Sequence, residues 1–246
     1  MKISIIIPAL NEQDALPKLL TSLTNQTHIP DEIIIVDGKS DDRTLEFANR
    51  FRDQFPSFQI IQSTKRNLPY QRNLGGKRAS GDWLVFVDAD TTFPTSFFAT
   101  IYHIIEQTTV DAFTVFCLPD DASLQARVHA HLWNMSLILQ NISRSVVLMG
   151  SFAAMRTSIF TRSHGYDETY SFAEDMEYSF RLKKENYTIA AISTLHAYLS
   201  QRRFRRFGYI QTVLLYAYPW IYMLFTGRVP SSHPTFQMGG HVFSKT

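Results

Sequence analysis

Two pairs of carboxylates and one basic run hold most of the chemistry available to this chain. Asp88 and Asp90 stand two residues apart after the apolar run Trp83-Leu84-Val85-Phe86-Val87. On a continuing strand such residues face the same way, with Ala89 turned to the other side. Two like charges so placed call for a cation between them. Mg²⁺ or Mn²⁺ suits that position, because both prefer carboxylate oxygen and share their coordination with substrate phosphates. The plainer alternative is a pair of solvated turn residues. Glu174 and Asp175 open a helical segment that runs on to Arg181. First-turn acids often serve only the helix dipole, yet one of these could also take a proton from an acceptor hydroxyl as a general base. Gln71-Arg72-Asn73-Leu74-Gly75-Gly76 precedes the Asp88 strand. Arg72 has the charge to hold a diphosphate, and Asn73 has the amide to fix a loop or a base edge. An ordinary surface helix is the alternative there.

These residues need elements to position them. Residues 3–7 form a short apolar run ended by Pro8, as expected of a parallel strand buried on both faces. Leu16, Leu19, Leu20 and Leu23 recur at helical spacing over 14–26. Residues 32–36, 58–62, 83–87 and 111–116 read as further strands. Between them helices are expected to run to about Phe51 from a Ser40 cap with Asp41 and Asp42 in its first turn, over 70–79, and from Pro94. The second half is less regular. It predicts a long helix over 122–149 broken near Asn141, a strand over 150–155, a helix ending at 184, a strand over 188–192 and an aromatic helical segment over 209–225. Alternating strands and helices imply an α/β fold, with a mostly parallel sheet covered on both faces. Ligands of such sheets bind beyond the carboxyl ends of the strands. Three polar clusters stand at those ends: Pro8-Ala9-Leu10-Asn11-Glu12, Asp37-Gly38-Lys39-Ser40 and Asp88-Ala89-Asp90.

The chain has 246 residues, 45% of them hydrophobic and 19% charged, which allows a large domain with its own core and excludes a disordered or collagen-like polymer. A single cysteine, Cys117, excludes an internal disulfide framework and a Cys-based zinc site, and it permits a reduced, cytoplasmic setting. The opening apolar run is too short for the core of a signal peptide. The formal net charge of +2 is unevenly spread. Asn186 to Thr246 contains no acid but holds Arg202, Arg203, Arg205, Arg206, Arg228 and Lys245. Such a tail expects an anionic partner. Tyrosines and Trp220 over 209–225, with Pro219 among them, favour the headgroup boundary of an anionic membrane over a spanning helix. The 122–148 helix would add apolar contact. Packing of both segments on the sheet, or a homodimer face, is the alternative. No nucleic-acid partner is expected.

Several motifs are missing. No Gly-x-Gly-x-x-Gly follows the first strand, Gly75-Gly76-Lys77-Arg78 is not a phosphate loop, and His129 and His131 do not share a helix face.

In the order of their occurrence, Ile5-Ile6-Ile7-Pro8-Ala9-Leu10-Asn11-Glu12, Ile35-Val36-Asp37-Gly38-Lys39-Ser40-Asp41-Asp42, Gln71-Arg72-Asn73-Leu74-Gly75, Phe86-Val87-Asp88-Ala89-Asp90-Thr91, Gly150-Ser151-Phe152 and Glu174-Asp175 resemble the family 2 glycosyltransferases of GT-A fold. The resemblance covers residues 3 to about 185. It implies a Rossmann-like catalytic domain over 1–200, with a nucleotide-binding half (1–116) and an acceptor half (117–200); the basic, aromatic residues 201–246 would form a membrane-proximal helical extension beyond it. It implies a nucleotide-diphospho-sugar donor and inverting transfer; docking of the tail on a membrane would suit a lipid-linked acceptor. Pro8, Ala9, Glu12 and Asp37 would line the nucleoside pocket, Asp37 accepting from the base. Asn11, Gly38, Arg72, Asn73 and Ala89 would complete the nucleotide site. Asp88 and Asp90 would hold Mn²⁺ or Mg²⁺ against the diphosphate, with His196 as a third ligand, and Asp175, beside Glu174, would be the base. Ser200-Gln201-Arg202-Arg203-Phe204 loosely resembles an Arg-bearing segment of related chains, without the Gln-x-x-Arg-Trp of processive synthases.

Three other functions use some of the same residues. A haloacid-dehalogenase-type phosphatase would take Asp88-Ala89-Asp90-Thr91-Thr92 as its nucleophile motif, though that motif normally ends the first strand. A nucleotidyltransferase would want a Gly- and Lys/Arg-rich loop after the first strand. The acidic residues weigh against a non-catalytic sugar-nucleotide or membrane binder, and turnover decides between the two.

Overall fold

The computed structural model describes residues 1–233 and 236; the end of the expected tail, Lys245 included, lies outside the described residues. The chain begins with β1 (Ile3–Ala9), α1 (Leu16–Thr24), β2 (Glu32–Asp37), α2 (Thr44–Asn49), β3 (Phe58–Gln62), α3 (Leu68–Arg78) and β4 (Trp83–Phe86). It continues through β5 (Thr91–Thr92), α4 (Phe97–Gln107), β6 (Ala112–Pro119), α5 (Leu124–Ile142), β7 (Ala153–Arg156) and α6 (Thr157–Arg162). It closes with α7 (Glu174–Lys184), β8 (Ile189–Leu199), α8 (Arg202–Phe207) and α9 (Tyr209–Thr226). One eight-stranded sheet has the order β3-β2-β1-β4-β7-β6-β8-β5. Pairing is parallel among β1 to β4 and between β6 and β8. β7 runs against β4 and β6, and β5 against β8. This is the mostly parallel α/β sheet that the sequence predicts.

The near-continuous apolar strands make two cores, because successive residues face opposite sides. Ile3, Ile5 and Ile7, with Ile33, Ile35, Trp83 and Val85, meet the leucines of α1 and Phe97, Phe98 and Ile101 of α4. Ile6, Ile34, Val36, Leu84 and Phe86 face the other way, toward Ile159 and Phe160 of α6 and Tyr178 and Leu182 of α7. On that second face α3 approaches so closely that a Cβ on Gly75 would lie 2.5 Å from Ile6 Cγ2 and 3.0 Å from Val36 Cγ2. Gly75→Ala should therefore destabilise the fold by about 1–3 kcal/mol through overpacking. An unchanged denaturant midpoint would mean that Ile6 and Val36 have room to retreat.

The second half differs from expectation in identifiable ways. β8 continues to Leu199 rather than ending near Ile192, because a register shift between Val115 and Phe116 lets β6 pair again with His196 to Leu199. Polar Ser193 and Thr194 at that shift interrupt the apolar pattern that marks a strand. The expected strand over 150–155 begins only at Ala153, since Met149 and Phe152 form a tight bridge around Gly150. The long helix expected over 122–149 ends at Ile142 and does not resume, so Asn141 marks its end rather than a break within it. The Asn141 amide exchanges two hydrogen bonds with the Ala191 backbone, at 2.7 and 2.8 Å.

Candidate active site

Loops beyond β1, β2 and β4 meet on one rim, as the topology requires. The first two are laced together. Gly38 N donates to Ala9 O at 2.7 Å, and Asn11 N to Ser40 Oγ at 2.9 Å. Asp41 N donates to Asn11 Oδ1 and Glu12 N to Thr44 Oγ1, both at 2.7 Å. Asn11 turns the chain at φ 55°, in the left-handed region that asparagine tolerates better than most residues. Gln71 of α3 holds the junction from below, donating to Val36 O at 2.7 Å and to Ala9 O at 3.1 Å. The sequence alone gives Gln71 no role. Pro8 and Ala9 are buried in β1. Asp37 is also buried, and its carboxylate accepts from Lys39 N at 3.1 Å and Ser40 N at 3.2 Å. In this conformation it shapes the loop that carries Gly38.

Asp88 and Asp90 do not share a strand face, because β4 ends at Phe86 and both lie in the turn before β5. Each meets a different guanidinium. Asp88 Oδ1 is 3.1 Å from Arg72 Nη2, and Asp90 Oδ2 is 2.9 Å from Arg202 Nε. Arg202 also holds Glu12 through two bonds of 2.5 and 2.7 Å. Burial pushes the Glu12 carboxyl up to about 7, with the charges of Asp90 and Asp88 adding to the rise and Arg202 opposing it. Asp90 is raised in the same way, by burial first, with Asp88 adding and Arg202 opposing. Arg202 was expected on the membrane side; instead it joins the site. The signal for this was its place in the segment after the last strand.

Arg72 is 0% exposed, so here it offers no surface to a diphosphate. It bonds Glu174 Oε1 at 2.6 Å and stands over the Tyr166 ring at 5.2 Å. Arg72 thus pins the β4 turn to the start of α7. Asn73 fixes a loop rather than a base edge: its amide pairs with the backbone of Tyr166 at 2.8 Å in both directions. With Glu174 committed to Arg72, Asp175 is the freer carboxylate. It is half-buried, accepts from Met176 N at 2.7 Å and Gly150 N at 3.2 Å, and forms no ion pair among the described residues. Burial, with Glu174 adjacent, raises its pKa above the usual carboxylate range, against the pull of Arg72. Gly150 stands where the two acidic groups approach. A Cβ there would lie 2.7 Å from Arg72 Nη2 and 3.5 Å from Asp88 Oδ2. Ala173, just before the pair, adopts φ 55°, a strained turn for a residue with a Cβ.

His196 is not part of this cluster. The extension of β8 carries it into the sheet opposite Phe116, where it lines a separate cavity of about 360 Å³ with Arg127, His131 and Met135. Among the described residues no three His, Cys, Asp or Glu side chains converge as a metal set, so the expected third ligand is corrected. Two carboxylates remain, Asp88 and Asp90, both partly exposed. The Arg202 guanidinium beside Asp90 and Glu12 stands as a cation would. Such a pair of hard oxygen donors fits Mg²⁺ or Mn²⁺, which bind through one or two carboxylates together with phosphate and water.

Residues 4–163 match the model of Glycosyl transferase family 2, and the chain belongs to that family. It is 28% identical over 246 positions to the O-antigen chain rhamnosyltransferase RfbN of Salmonella typhimurium, covering 92% of this chain and 76% of that protein. It is 28% identical over 194 positions to the succinoglycan biosynthesis protein ExoA of Rhizobium meliloti, covering 75% of this chain and 59% of that one. Among solved structures, the mannosyltransferase PcManGT of Pyrobaculum calidifontis, in complex with GDP-Man and Mn²⁺, superposes with a TM-score of 0.73 at 18% identity, covering 93% of this chain and 66% of that one. TarS residues 1–349 of S. aureus, in complex with UDP, gives 0.64 at 20% identity, covering 83% and 62%. At such identities the likeness speaks to the fold, a GT-A-like α/β sheet.

Proposed function

We propose that the protein moves a hexosyl group from a nucleotide-diphospho-sugar to an acceptor hydroxyl or phosphate, with inversion, in the assembly of a cell-envelope polysaccharide or glycolipid. The observation that carries this reading is the convergence of Asp88 and Asp175 on Gly150, with Arg72 joining the elements that bear them. The names of the Salmonella and Rhizobium relatives support the polymer class, and the GDP-Man and UDP bound by the structural neighbours support the nucleotide sugar. In this reading residues 1–116 bind the donor, 117–200 the acceptor, and 201–246 form an appended tail.

Each residue then has a distinct task. The laced loops from Pro8 to Glu12 and from Asp37 to Ser40 receive the nucleoside, and Ala89 and Gly38 give its phosphates and ribose close access to backbone. Asp88 and Asp90 would hold Mn²⁺ or Mg²⁺, which when bound neutralises charge growing on the departing diphosphate. Asp175 removes the acceptor's proton from the opposite side, so that attack and departure lie in line and the anomeric centre inverts. Arg72 keeps Glu174 and Asp88 in register and leaves Asp175 free. Arg202 holds Glu12 and Asp90 together until a donor enters.

Activity should vanish on chelation and return with Mn²⁺ or Mg²⁺. Asp90→Asn should cripple turnover while the protein stays folded, because a partly exposed turn carboxylate contributes little to either core. Full activity in excess chelator would remove the metal from this mechanism.

A further inference from the structure

We infer that α5 and α9 together form a docking surface for an anionic lipid bilayer and lie along it. The inference is independent of the reaction proposed above. It starts from two helices that pack side by side. Tyr209 OH lies 3.3 Å from Ser123 Oγ at one end, and further along the Tyr216 ring meets those of His129 and Trp133, tilted and edge-on, at separations of 6.4 and 6.3 Å. The helices therefore run in the same direction. Each keeps a full-length apolar stripe on its outer side. On α5 this is Leu124, Val128, Leu132, Met135, Leu139 and Ile142, exposed from 46% at Met135 to 76% at Ile142. Their spacing of three or four residues places them opposite Ala126, Ala130 and Leu137, which are buried toward the sheet. On α9, Ile210, Leu214, Ile221 and Phe225 lie opposite buried Thr212 and Pro219. Apolar surface on this scale is far more than scattered singletons would give, and it marks an interaction site.

Charge selects the occupant. Neither helix contains an acid, and Arg127, Arg144, Arg206 and Arg228 are exposed on or beside them. A second copy of this chain would bring like charges face to face, whereas an anionic lipid surface complements them. No helix among the described residues is long and apolar enough to cross a membrane. An apolar stripe with basic flanks and no span is the pattern of a helix lying in the interface. The structure also changes which arginines take part. Arg202 is held by Glu12 and Asp90, and Arg205 faces Asp120 and Asp121 at 3.5 Å, so two arginines of the basic run upstream of α9 are already paired with acids. The apolar stripes then carry most of the attachment, and α5 matters as much as the tail.

The test is flotation of the full chain with phosphatidylglycerol-containing and pure phosphatidylcholine vesicles. The chain should float with the anionic vesicles at least several-fold more than with the neutral ones. Leu132→Glu with Leu139→Glu on α5, and separately Leu214→Glu on α9, should each lower the bound fraction by roughly tenfold or more, with an unchanged melting temperature and unchanged nucleotide binding. Failure to float with anionic vesicles would overturn the proposal, as would binding that the α5 pair leaves intact. Sedimentation showing a dimer that these variants convert to monomer, without lipid binding, would assign the surface to a second copy instead.

Discussion

Asp175→Asn should lower turnover by about 10²–10⁴, the range for loss of a general base, and change nucleotide affinity little. The geometry separates the two neighbours. Glu174 is bound to Arg72 at 2.6 Å, while among the described residues the Asp175 carboxylate is held by two backbone amides. Amide bonds to Gly150 and Met176 aim the Asp175 carboxylate without neutralising it. The pH profile follows from the direction of its pKa. Because burial and Glu174 raise that pKa, the acid limb of kcat should lie above pH ~4, where an ordinary carboxylate titrates, and should be missing in the Asn variant. The same shift has a sign for stability. The folded state favours the protonated acid, so this contribution is present below the ordinary carboxylate pKa and is lost as pH rises through the raised one. A parallel fall in nucleotide affinity would move Asp175 into the donor pocket and leave the base to another residue.

Arg72→Met should be the most destabilising single change at the site. Arg72 is fully buried between Asp88 and Glu174. Removing it leaves the buried Glu174 carboxylate desolvated and unpaired, at a cost of about 3–5 kcal/mol. For a chain of this size that corresponds to a fall of roughly 6–20 °C in melting temperature. Arg72→Lys should recover only part of it, because one ammonium cannot reproduce a guanidinium that bonds two carboxylates through different nitrogens. A melting temperature equal to the wild type's for Arg72→Met would show that the pin carries no load.

Much of the first half was legible because buried parallel strands leave unbroken apolar runs. Ile5–Ile7, Ile33–Val36 and Trp83–Val87 carry such runs, each followed by a polar or proline-bearing cluster, and the three clusters meet on one rim as the sheet topology demands; β3, Phe-Gln-Ile-Ile-Gln at the sheet edge, is only half-buried. What was not legible depends on partners distant in sequence. Arg72 reads as a surface cation until Glu174 and Asp88 are seen to enclose it. Arg202 reads as part of a basic tail until Glu12, at the other end of the chain, takes its guanidinium. His196 follows from where β8 ends, and that end is set by a register shift in β6 that no local pattern records. The paired carboxylates were found, but their shared strand face was not, since β4 gives way to a turn before reaching them.

Titration calorimetry with uridine, guanosine and thymidine diphosphates, each with and without Mn²⁺, tests the central claim most directly. It reads the donor site without requiring the acceptor. The protein should bind at least one of them, more tightly with Mn²⁺, and Asp90→Asn should abolish the metal's effect while leaving the protein folded. Absence of binding by all three, with or without Mn²⁺, would contradict a donor site built on the loops that end β1, β2 and β4.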